Sequence, residues 1–349
     1  DIDLVVLGPT NMSVSEFTGR LQEHISSSIN YIEDAKAPLL CYFYQGFKVE
    51  VAFTNCPETL APRPLTEYKL DELHKFDEAS QLAIRGYRNT LALVKDLPPH
   101  KLALFQQTLR SLRKWAGKRL IDNGAFGFLP GYSWALLSRW VIDRDNPTNT
   151  QEALKKLFVT LHQWDFGQPI GLTKEARAFP LRPRDKMAIV TSVAPLQNSA
   201  RNVTSSTLKE LKREFQRAHE CCEKDDWEVL FKAKEPDKEE VVKIVISFSA
   251  SLESELQACR SWFRKSALSL LLSLERELGC HTLCYDSASN RNKAATKERE
   301  TYNIYIKEAA PKPLTKIFKN FTEQFEKWAH KPADTTISFL EHWPSEGVT

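Results

Sequence analysis

The sequence predicts a multidomain α+β protein, and three observations support that prediction. Near the start of the chain, short apolar runs rich in β-branched and aromatic residues indicate strands. The middle of the chain has apolar residues at helical spacing over most of its length. In the last third, strand and helix patterns follow the order strand-helix-strand-strand-helix-strand.

Composition narrows the class of protein. The 349 residues suffice for two or three domains, and 42% hydrophobic with 27% charged residues is typical of globular proteins. A net charge of +3 is too small to indicate nucleic-acid binding without local clustering. The seven cysteines lack paired metal-ligand spacing, which argues against zinc and for a reducing compartment. No apolar run reaches the length of a membrane span, so we expect a soluble intracellular protein with no membrane partner.

The first strand pattern, residues 1–9, carries two carboxylates two positions apart, Asp1 and Asp3. Because side chains alternate along a strand, both acids lie on one face. A tight Gln45–Gly46 turn joins two further strands as a hairpin, and the second of them carries Glu50. If that strand lies beside the first, three carboxylates meet, an arrangement that suits divalent cations in phosphoryl transfer. Two acids in a strand are also common without such a role. Because the chain opens inside a strand and without methionine, we expect further sequence upstream.

Helix patterns dominate the next part of the chain. They cover residues 13–29, most of 66–140, 148–162, and 207–219, the last capped by Thr207. Within residues 101–121 one face is apolar and another carries the basic side chains Arg110, Arg113, Lys114 and Lys118. This stripe is either a solvated surface or a site for a polyanion. Two glycines inside the aromatic run 126–134 that follows would let the backbone approach a flat ligand closely.

The last third predicts a ferredoxin-like domain, the fold class that includes RNA-recognition modules. Its predicted elements are strand 241–250, helix 252–278 ended by Gly279, strand 281–285, a polar loop 287–299, strand 302–307, helix 314–328 and strand 337–343. Tyr302 and Tyr305 are the candidate aromatics for RNA, but they lack the usual motif around them. The predicted domains are therefore residues 1–65, 66–236 and 237–349.

Short motifs along the chain resemble those of the eukaryotic-type poly(A) polymerases. Asp1-Ile-Asp3 is similar to the second half of the family's G-S-x-x-x-x-D-I-D element, and Gly46-Phe-Lys-Val-Glu50-Val is similar to G-I-E-I-D-I. The further matching runs are Tyr31–Ala35, Arg85–Arg88, Thr108–Ala116, Gly127–Ala135, Gln197–Val203 and Trp227–Phe231. Each run is short, but their shared order extends over more than two hundred residues.

The resemblance implies a nucleotidyltransferase palm with a mixed sheet, a helical middle domain that binds ATP, and a C-terminal domain that resembles RNA-recognition modules. It assigns the metal-binding and catalytic roles to Asp1, Asp3 and Glu50, with Mg²⁺ as cofactor and Mn²⁺ as an alternative ion. The RNA 3′-hydroxyl would attack the α-phosphate of ATP, and pyrophosphate would leave without a protein nucleophile.

The resemblance also implies a set of nucleotide-binding residues: Arg85, Arg113, Lys114, Asn123, Gly131 and Tyr132. Several of these positions differ from the family pattern. Arg113 replaces a phosphate-binding lysine, and arginine is not an equivalent group. Asp122 and Gly124 replace a tyrosine and an asparagine that hold the nucleotide, and Asn123 could substitute with a shift of one residue. Tyr132 replaces a valine and offers an aromatic face on which a base could stack.

Three functions remain open on the sequence. The first is a template-independent RNA 3′-nucleotidyltransferase that adds AMP. The second is a catalytically inert relative that serves as an RNA-binding or scaffolding subunit, and the third is a related transferase that uses another nucleotide. The family implies a nuclear protein, with the RNA 3′ end, ATP and RNA-processing proteins as partners.

Overall fold

The computed structural model describes residues 2–32, 38–234, 241–279, 282–286, 292–294, 297–307 and 313–342. The chain divides into two compact units, Asp1–Asp96 with Ser192–Leu196, and Leu97–Thr191 with Gln197–Thr349. The three domains predicted from the sequence stay a prediction beside this division. Within the described residues, none of the helices is both long enough and apolar enough to cross a lipid bilayer.

The first unit contains a four-stranded mixed sheet. In chain order its elements are β1 (Ile2–Gly8), α1 (Val14–Gln22), β2 (Asn30–Ile32), β3 (Leu39–Tyr44), β4 (Phe47–Asn55), α2 (Leu70–Leu73) and α3 (Glu78–Val94). The strands lie in the order β1-β4-β3-β2. β1 is parallel to β4, whereas the other neighbours are antiparallel, which confirms the predicted mixed sheet.

The β3–β4 hairpin forms where the sequence predicts it. Gln45 and Gly46 both have positive φ, 49° and 82°, as a two-residue hairpin turn requires, and Tyr44 pairs with Phe47. The C-terminal end of the helix predicted over residues 13–29 is wrong, because the helix is shorter than expected. Ser13 caps α1 as expected, but the helix stops at Gln22. The Gln22 side-chain amide donates to the Ile25 and Ser27 carbonyls, and the serines of low helix propensity at 26–28 do not continue the helix.

The second unit begins with the predicted helical region. Its elements are α4 (Pro99–Lys118), a 3₁₀ turn (Gly124–Phe126), α5 (Gly131–Asp145), α6 (Thr150–Gln163), α7 (Lys174–Arg177), α8 (Ser205–Glu223) and α9 (Trp227–Leu230). Trp115 and Trp134 are fully buried and pack edge to face, with ring centroids 5.9 Å apart. The cap of α8 differs from the prediction: Thr204, not Thr207, is the N-cap, and the Thr207 hydroxyl accepts from the Thr204 amide in a capping box.

The C-terminal part of this unit has the predicted strand and helix order. Its elements are β5 (Val241–Ala250), α10 (Glu253–Leu278), β6 (Thr282–Asp286), β7 (Asn292–Ala294), β8 (Lys297–Lys307), α11 (Thr315–Glu326) and β9 (Thr336–His342). The sheet order is β6-β8-β5-β9, with β7 paired to β8 and every pairing antiparallel. Apart from the short β7, β5 is the first strand of this part, β8 the third and β9 the fourth. β5 therefore lies between β8 and β9, as the split βαβ fold requires.

One predicted loop in this part is wrong. The sequence indicates a polar loop over residues 287–299, but β7 lies within that range and β8 begins at Lys297. Glu300 interrupts the alternation of apolar and polar residues that would predict β8, because a charged residue occupies a position whose side chain is buried. In the structure Glu300 is only 4% exposed, and Arg260 donates to both of its carboxylate oxygens at 2.6 to 3.1 Å.

Candidate functional site

Asp3 and Glu50 lie directly opposite each other in the first sheet. β1 and β4 are adjacent parallel strands, and their register pairs Asp3 with Glu50. The two carboxyl groups are close enough for a hydrogen bond between their side chains. The structure therefore brings together two of the three acids that the sequence predicts as metal ligands. The third, Asp1, lies outside the described residues.

The negative charges of Asp3 and Glu50 repel each other. Burial raises the pKa of the Asp3 carboxyl above its usual value, and the neighbouring Glu50 carboxylate raises it further. Cys41, which pairs with Glu50 across the β3–β4 register, also has a raised thiol pKa, caused by burial and then by the Glu50 charge. Two carboxylates held beside each other repel unless a positive charge compensates them.

Lys48 supplies part of that compensation. Its ammonium forms an ion pair with the Glu50 carboxylate, and the two side chains are 37% and 26% exposed. Sequence reasoning missed this lysine. The signal was available, because residues two apart on a strand share a face and Lys48 precedes Glu50 by two positions.

A divalent cation fits this arrangement. Two adjacent carboxyl groups, of which Glu50 raises the pKa of Asp3, are hard oxygen ligands, and a cation between them would remove the repulsion. Among the described residues, which begin at Ile2, no group of three or more His, Cys, Asp or Glu side chains is placed to bind a metal. The Mg²⁺ site, with Mn²⁺ as the alternative, therefore stays a prediction that depends on Asp1 as well.

Arg85 lies in the middle of α3 and is partly exposed. Its backbone carbonyl accepts a hydrogen bond from the Asn89 side chain at 3.0 Å, and Asn89 in turn accepts from the Val193 amide at 3.2 Å. The described contacts do not join its guanidinium to Asp3 or Glu50. The nucleotide-binding role implied for Arg85 stays a prediction.

Arg113 and Gly131 come together in the second unit. A Cβ placed on Gly131 would lie only 2.5 Å from Nη1 of Arg113, so the guanidinium covers this glycine. Gly131 is the first residue of α5, whose N-cap, Pro130, provides no side-chain hydrogen bond. A helix start with outward-facing N–H groups and a guanidinium beside it is suited to bind an anion such as phosphate.

The other predicted nucleotide-binding residues lie close by in sequence but differ in environment. Lys114 is exposed on α4, as are the other basic residues of its stripe. Tyr132 is partly buried, and its hydroxyl oxygen is shielded from solvent. Asn123 caps the 3₁₀ turn, with its side-chain oxygen accepting from the Ala125 amide at 3.1 Å. This local role leaves the Asn123 amide nitrogen as the group that could contact a ligand.

A cavity of about 390 Å³ lies beside the 3₁₀ turn. Its lining consists of residues from the turn and from the segment that follows residue 190: Gly124, Ala125, Pro130, Thr191, Gln197, Asn198, Ser199, Arg201 and Asn202. Sequence reasoning used the Gln197–Val203 run only as a family marker and did not assign it a site. Arg201 is the charged residue of this lining, and its side chain is exposed.

Hydrogen bonds from two amide side chains, the buried Asn198 and the partly buried Asn202, build the cavity. The Asn198 side chain is 3% exposed, accepts from the Ile189 and Ala200 amides, and donates to the Met187 carbonyl at 2.8 Å. The Asn202 amide nitrogen donates to the Gly124 carbonyl at 2.9 Å. Because these bonds fix the backbone on both sides, the cavity is preformed rather than created by a ligand.

Comparison with known proteins identifies the central part of the chain. Residues 104–233 match the family model of the poly(A) polymerase central domain. Nuclear poly(A) polymerase 1 of Arabidopsis thaliana is 27% identical over 311 residues, which cover 82% of this chain and 43% of that protein. The poly(A) polymerase of Dictyostelium discoideum is 29% identical over 240 residues, covering 64% and 29%. The chain thus spans less than half the length of either relative.

The matched residues 104–233 lie mostly in the second unit, which is therefore similar to a poly(A) polymerase central domain. Over its central part and beyond, the chain is similar to poly(A) polymerases at modest sequence identity. Among solved structures, a Cid1 poly(U) polymerase structure with bound Mg and 3′-dATP superimposes with a TM-score of 0.45 at 16% identity, covering 66% of this chain and 80% of that chain.

Proposed function

We propose that the protein is a template-independent RNA 3′-nucleotidyltransferase that adds AMP from ATP to an RNA 3′-hydroxyl and releases pyrophosphate. The observation that carries the proposal is the pairing of Asp3 with Glu50 across parallel strands, in a chain whose residues 104–233 match the poly(A) polymerase central domain. Phosphoryl transfer of this kind needs positioned charge rather than a protein nucleophile.

The first unit would supply the metal ligands. Asp3 and Glu50 each offer carboxylate oxygens on one face of the sheet, and Asp1 would add a third acid. When bound, the divalent cations would stabilise negative charge on the attacking and leaving oxygens. Lys48 would hold the Glu50 carboxylate in place in the absence of a cation, since the two form an ion pair.

The second unit would bind the nucleotide. The cavity is lined by side chains that donate and accept hydrogen bonds, among them Thr191, Gln197 and Ser199, and its volume lies in the range of small-molecule sites. Arg113, which covers Gly131 at the start of α5, would bind phosphate oxygens. Lys114 would add positive charge from α4, the helix that also carries Arg113.

We expect replacement of Arg113 by alanine to weaken ATP binding at least about tenfold, because charge-assisted hydrogen bonds contribute about 1.5–3 kcal/mol. Adenosine, which has no phosphate, should bind to the variant as it does to the wild type. Arg110→Ala is the matched control, since Arg110 is exposed on the same helix. Equal losses for ATP and adenosine, measured by calorimetry, would rule out a phosphate contact.

RNA would bind the open face of the C-terminal sheet. Helices cover the other face, where Tyr302 is 5% exposed, contacts Phe263 with ring centroids 4.5 Å apart and donates to Glu300. Tyr302 is therefore not an RNA-stacking residue. Tyr305 lies on the open face, and the Lys243 ammonium is 5.8 Å from its ring centroid.

The chemistry of that open face suits a single-stranded nucleic acid. Its described side chains are uncharged or basic: Lys243, Val245, Ser247, Ser249, Arg299, Thr301, Asn303, Tyr305, Thr336, Ser338, Leu340 and His342. The register places Lys243 between Tyr305 and His342. Such a row offers ring faces for bases and positive charge for phosphates.

Replacing Tyr305 by alanine should weaken the binding of a short single-stranded RNA about five- to 150-fold, because loss of base stacking costs about 1–3 kcal/mol. Tyr305→Phe keeps the ring and should bind as the wild type does. Fluorescence anisotropy with labelled oligo(A) measures both. A Tyr305→Ala protein that binds RNA normally would place the RNA surface elsewhere.

The function itself is tested by primer extension with each of the four nucleotides, using the full-length protein and a labelled RNA. Preferred incorporation of AMP supports the proposal, whereas preference for another nucleotide would make the protein a related transferase. The ion pair of Lys48 with Glu50 favours the alternative of an inert RNA-binding subunit, because it engages an implied metal ligand. RNA binding without any extension would establish that alternative.

The cellular compartment that we propose is taken from a relative of this chain. Because one of them is a nuclear poly(A) polymerase, we propose that the protein acts in the nucleus. RNA-processing proteins as partners stay a prediction.

A further inference from the structure

Helix α10, which belongs to the C-terminal ferredoxin-like part, contacts residues that directly adjoin both walls of the cavity. On one wall, Phe126 of the 3₁₀ turn packs on Phe263 of α10 with ring centroids 5.5 Å apart. On the other, the Glu275 carboxylate accepts hydrogen bonds from the Ser206 amide at 2.8 Å and from the Thr204 hydroxyl. Both aromatic rings are buried, at 1% and 0% exposure.

The contact with Glu275 fixes the end of the cavity-lining segment. Thr204 is the N-cap of α8 and lies two residues after Asn202, which lines the cavity. A carboxylate at a helix N-terminus stabilises the first turn through charge and hydrogen bonding. The backbone therefore passes from the cavity lining at Asn202 into the first turn of α8, which Glu275 of α10 stabilises through hydrogen bonds.

Two hydrogen bonds connect this helix start with the opposite wall. The Thr207 hydroxyl donates to the Gly127 carbonyl at 2.6 Å, and the Asn202 amide donates to the Gly124 carbonyl at 2.9 Å. Gly127 has φ of 76°, and a Cβ there would lie 3.1 Å from the Thr207 Cγ2. The 3₁₀ turn and the segment before α8 are thus one connected structure.

Phe263 also contacts the C-terminal sheet. Its ring lies 4.5 Å from that of Tyr302 and 5.4 Å from that of Phe248, which are on β8 and β5. One side chain therefore packs at once on the sheet and on the 3₁₀ turn. Packed aromatic contacts of this kind resist displacement because the interior has few voids to absorb it.

We propose that Glu275 and Phe263 are positioning residues, through which α10 holds the two walls of the cavity in their ligand-binding arrangement. The identity of the ligand as a nucleotide rests on the proposed function, but the positioning of the walls does not. Neither residue lines the cavity, so both act through the backbone of Gly124–Phe126 and Gln197–Asn202.

Amide hydrogen exchange of the full-length protein tests the positioning without any ligand. The reporter amides are those of Phe126 and Phe128, which donate to the Asn123 carbonyl, and that of Ser199, which donates to the Ile189 carbonyl. In Glu275→Ala the Ser199 amide should exchange about tenfold faster, since loss of a helix cap frees the adjoining segment. Glu275→Gln keeps an oxygen acceptor and should restore slow exchange.

Two further variants separate positioning from general destabilisation. Glu277→Ala removes the same charge from an exposed site on the same helix and should leave the three reporter amides unchanged. Phe263→Leu keeps apolar volume but removes the ring contact, and should speed exchange of the Phe126 and Phe128 amides. It also provides a test if Glu275→Ala fails to fold.

ATP binding measured on the same proteins connects the inference with function. Glu275→Ala should bind ATP about tenfold more weakly, and Glu275→Gln and Glu277→Ala as the wild type does. If the wild type binds no ATP, the proposed function fails while the exchange rates still decide the positioning role. Unchanged exchange at the reporter amides in both Glu275→Ala and Phe263→Leu would overturn the inference.

Discussion

Replacing Asp3 by asparagine is expected to slow AMP addition by about a thousandfold or more while the protein stays folded. Asparagine has nearly the same shape but lacks the negative charge that binds divalent cations. Loss of one metal ligand removes several kcal/mol of transition-state stabilisation, and each 1.36 kcal/mol is a factor of ten in rate. Single-turnover extension of an RNA primer measures the effect.

Because Asp3 has a raised pKa caused by burial and by Glu50, its neutral replacement should not destabilise the sheet. Thermal unfolding of Asp3→Asn should therefore match or exceed that of the wild type, and RNA binding should be retained. Asp71→Asn is the matched control, since Asp71 is exposed on α2 of the same unit. Extension by Asp3→Asn at the wild-type rate would remove this carboxylate from the mechanism.

Replacing Glu214 by alanine should reduce the free energy of unfolding of the second unit by about 3–5 kcal/mol, the cost of breaking a buried ion pair. The Glu214 side chain is 5% exposed, and Arg119 donates to both of its oxygens at 2.8 and 2.9 Å. Arg217 donates to it at 3.1 Å. Without the carboxylate, the Arg119 and Arg217 side chains, which are 11% and 26% exposed, lose this charge partner. Urea unfolding should therefore shift to clearly lower concentration.

The same pair makes a prediction about pH. Burial raises the pKa of Glu214, but the hydrogen bonds and charge of Arg119 outweigh burial and hold that pKa below its usual value of 4.5. A carboxyl group with a depressed pKa stabilises the folded state above its unfolded pKa. The difference between wild type and Glu214→Ala should therefore be constant at neutral pH and shrink below pH 4.5.

Glu220→Ala is a control on the same helix, because Glu220 is exposed and its carboxylate accepts a hydrogen bond only from the Gln216 side chain among the described contacts. It should change the free energy of unfolding by less than about 0.5 kcal/mol. A Glu214→Ala protein that is as stable as Glu220→Ala would show that the ion pair does not support the fold.

Local patterns in the sequence were sufficient to predict the acidic pair. Alternation along β1, the Gln45–Gly46 turn and the apolar run around Glu50 fixed two strands and the faces of their acids. They did not show the pairing of Lys48 with Glu50, which strand periodicity would have allowed. Glu300 misled the prediction of β8, because its inward position is compensated by Arg260 forty residues away in sequence.

The cavity could not be predicted from local patterns. Its two walls lie far apart in sequence, and the Asn202–Gly124 hydrogen bond that joins them spans 78 residues. Asn198 reads as a surface residue, yet it is buried and orders the backbone around it. Polar residues inside a fold carry no periodic signal, so their partners become evident only in three dimensions.

Single-nucleotide addition to RNA tests the central claim most directly. The full-length protein, ATP and magnesium are mixed with a labelled primer that ends in a 3′-hydroxyl or in a 3′-deoxy sugar, and AMP addition and pyrophosphate release are followed together. We expect one pyrophosphate for each AMP added to the hydroxyl primer and no addition to the deoxy primer. Protein that binds this RNA and ATP but extends neither primer would contradict the assignment of Asp3 and Glu50 to phosphoryl transfer.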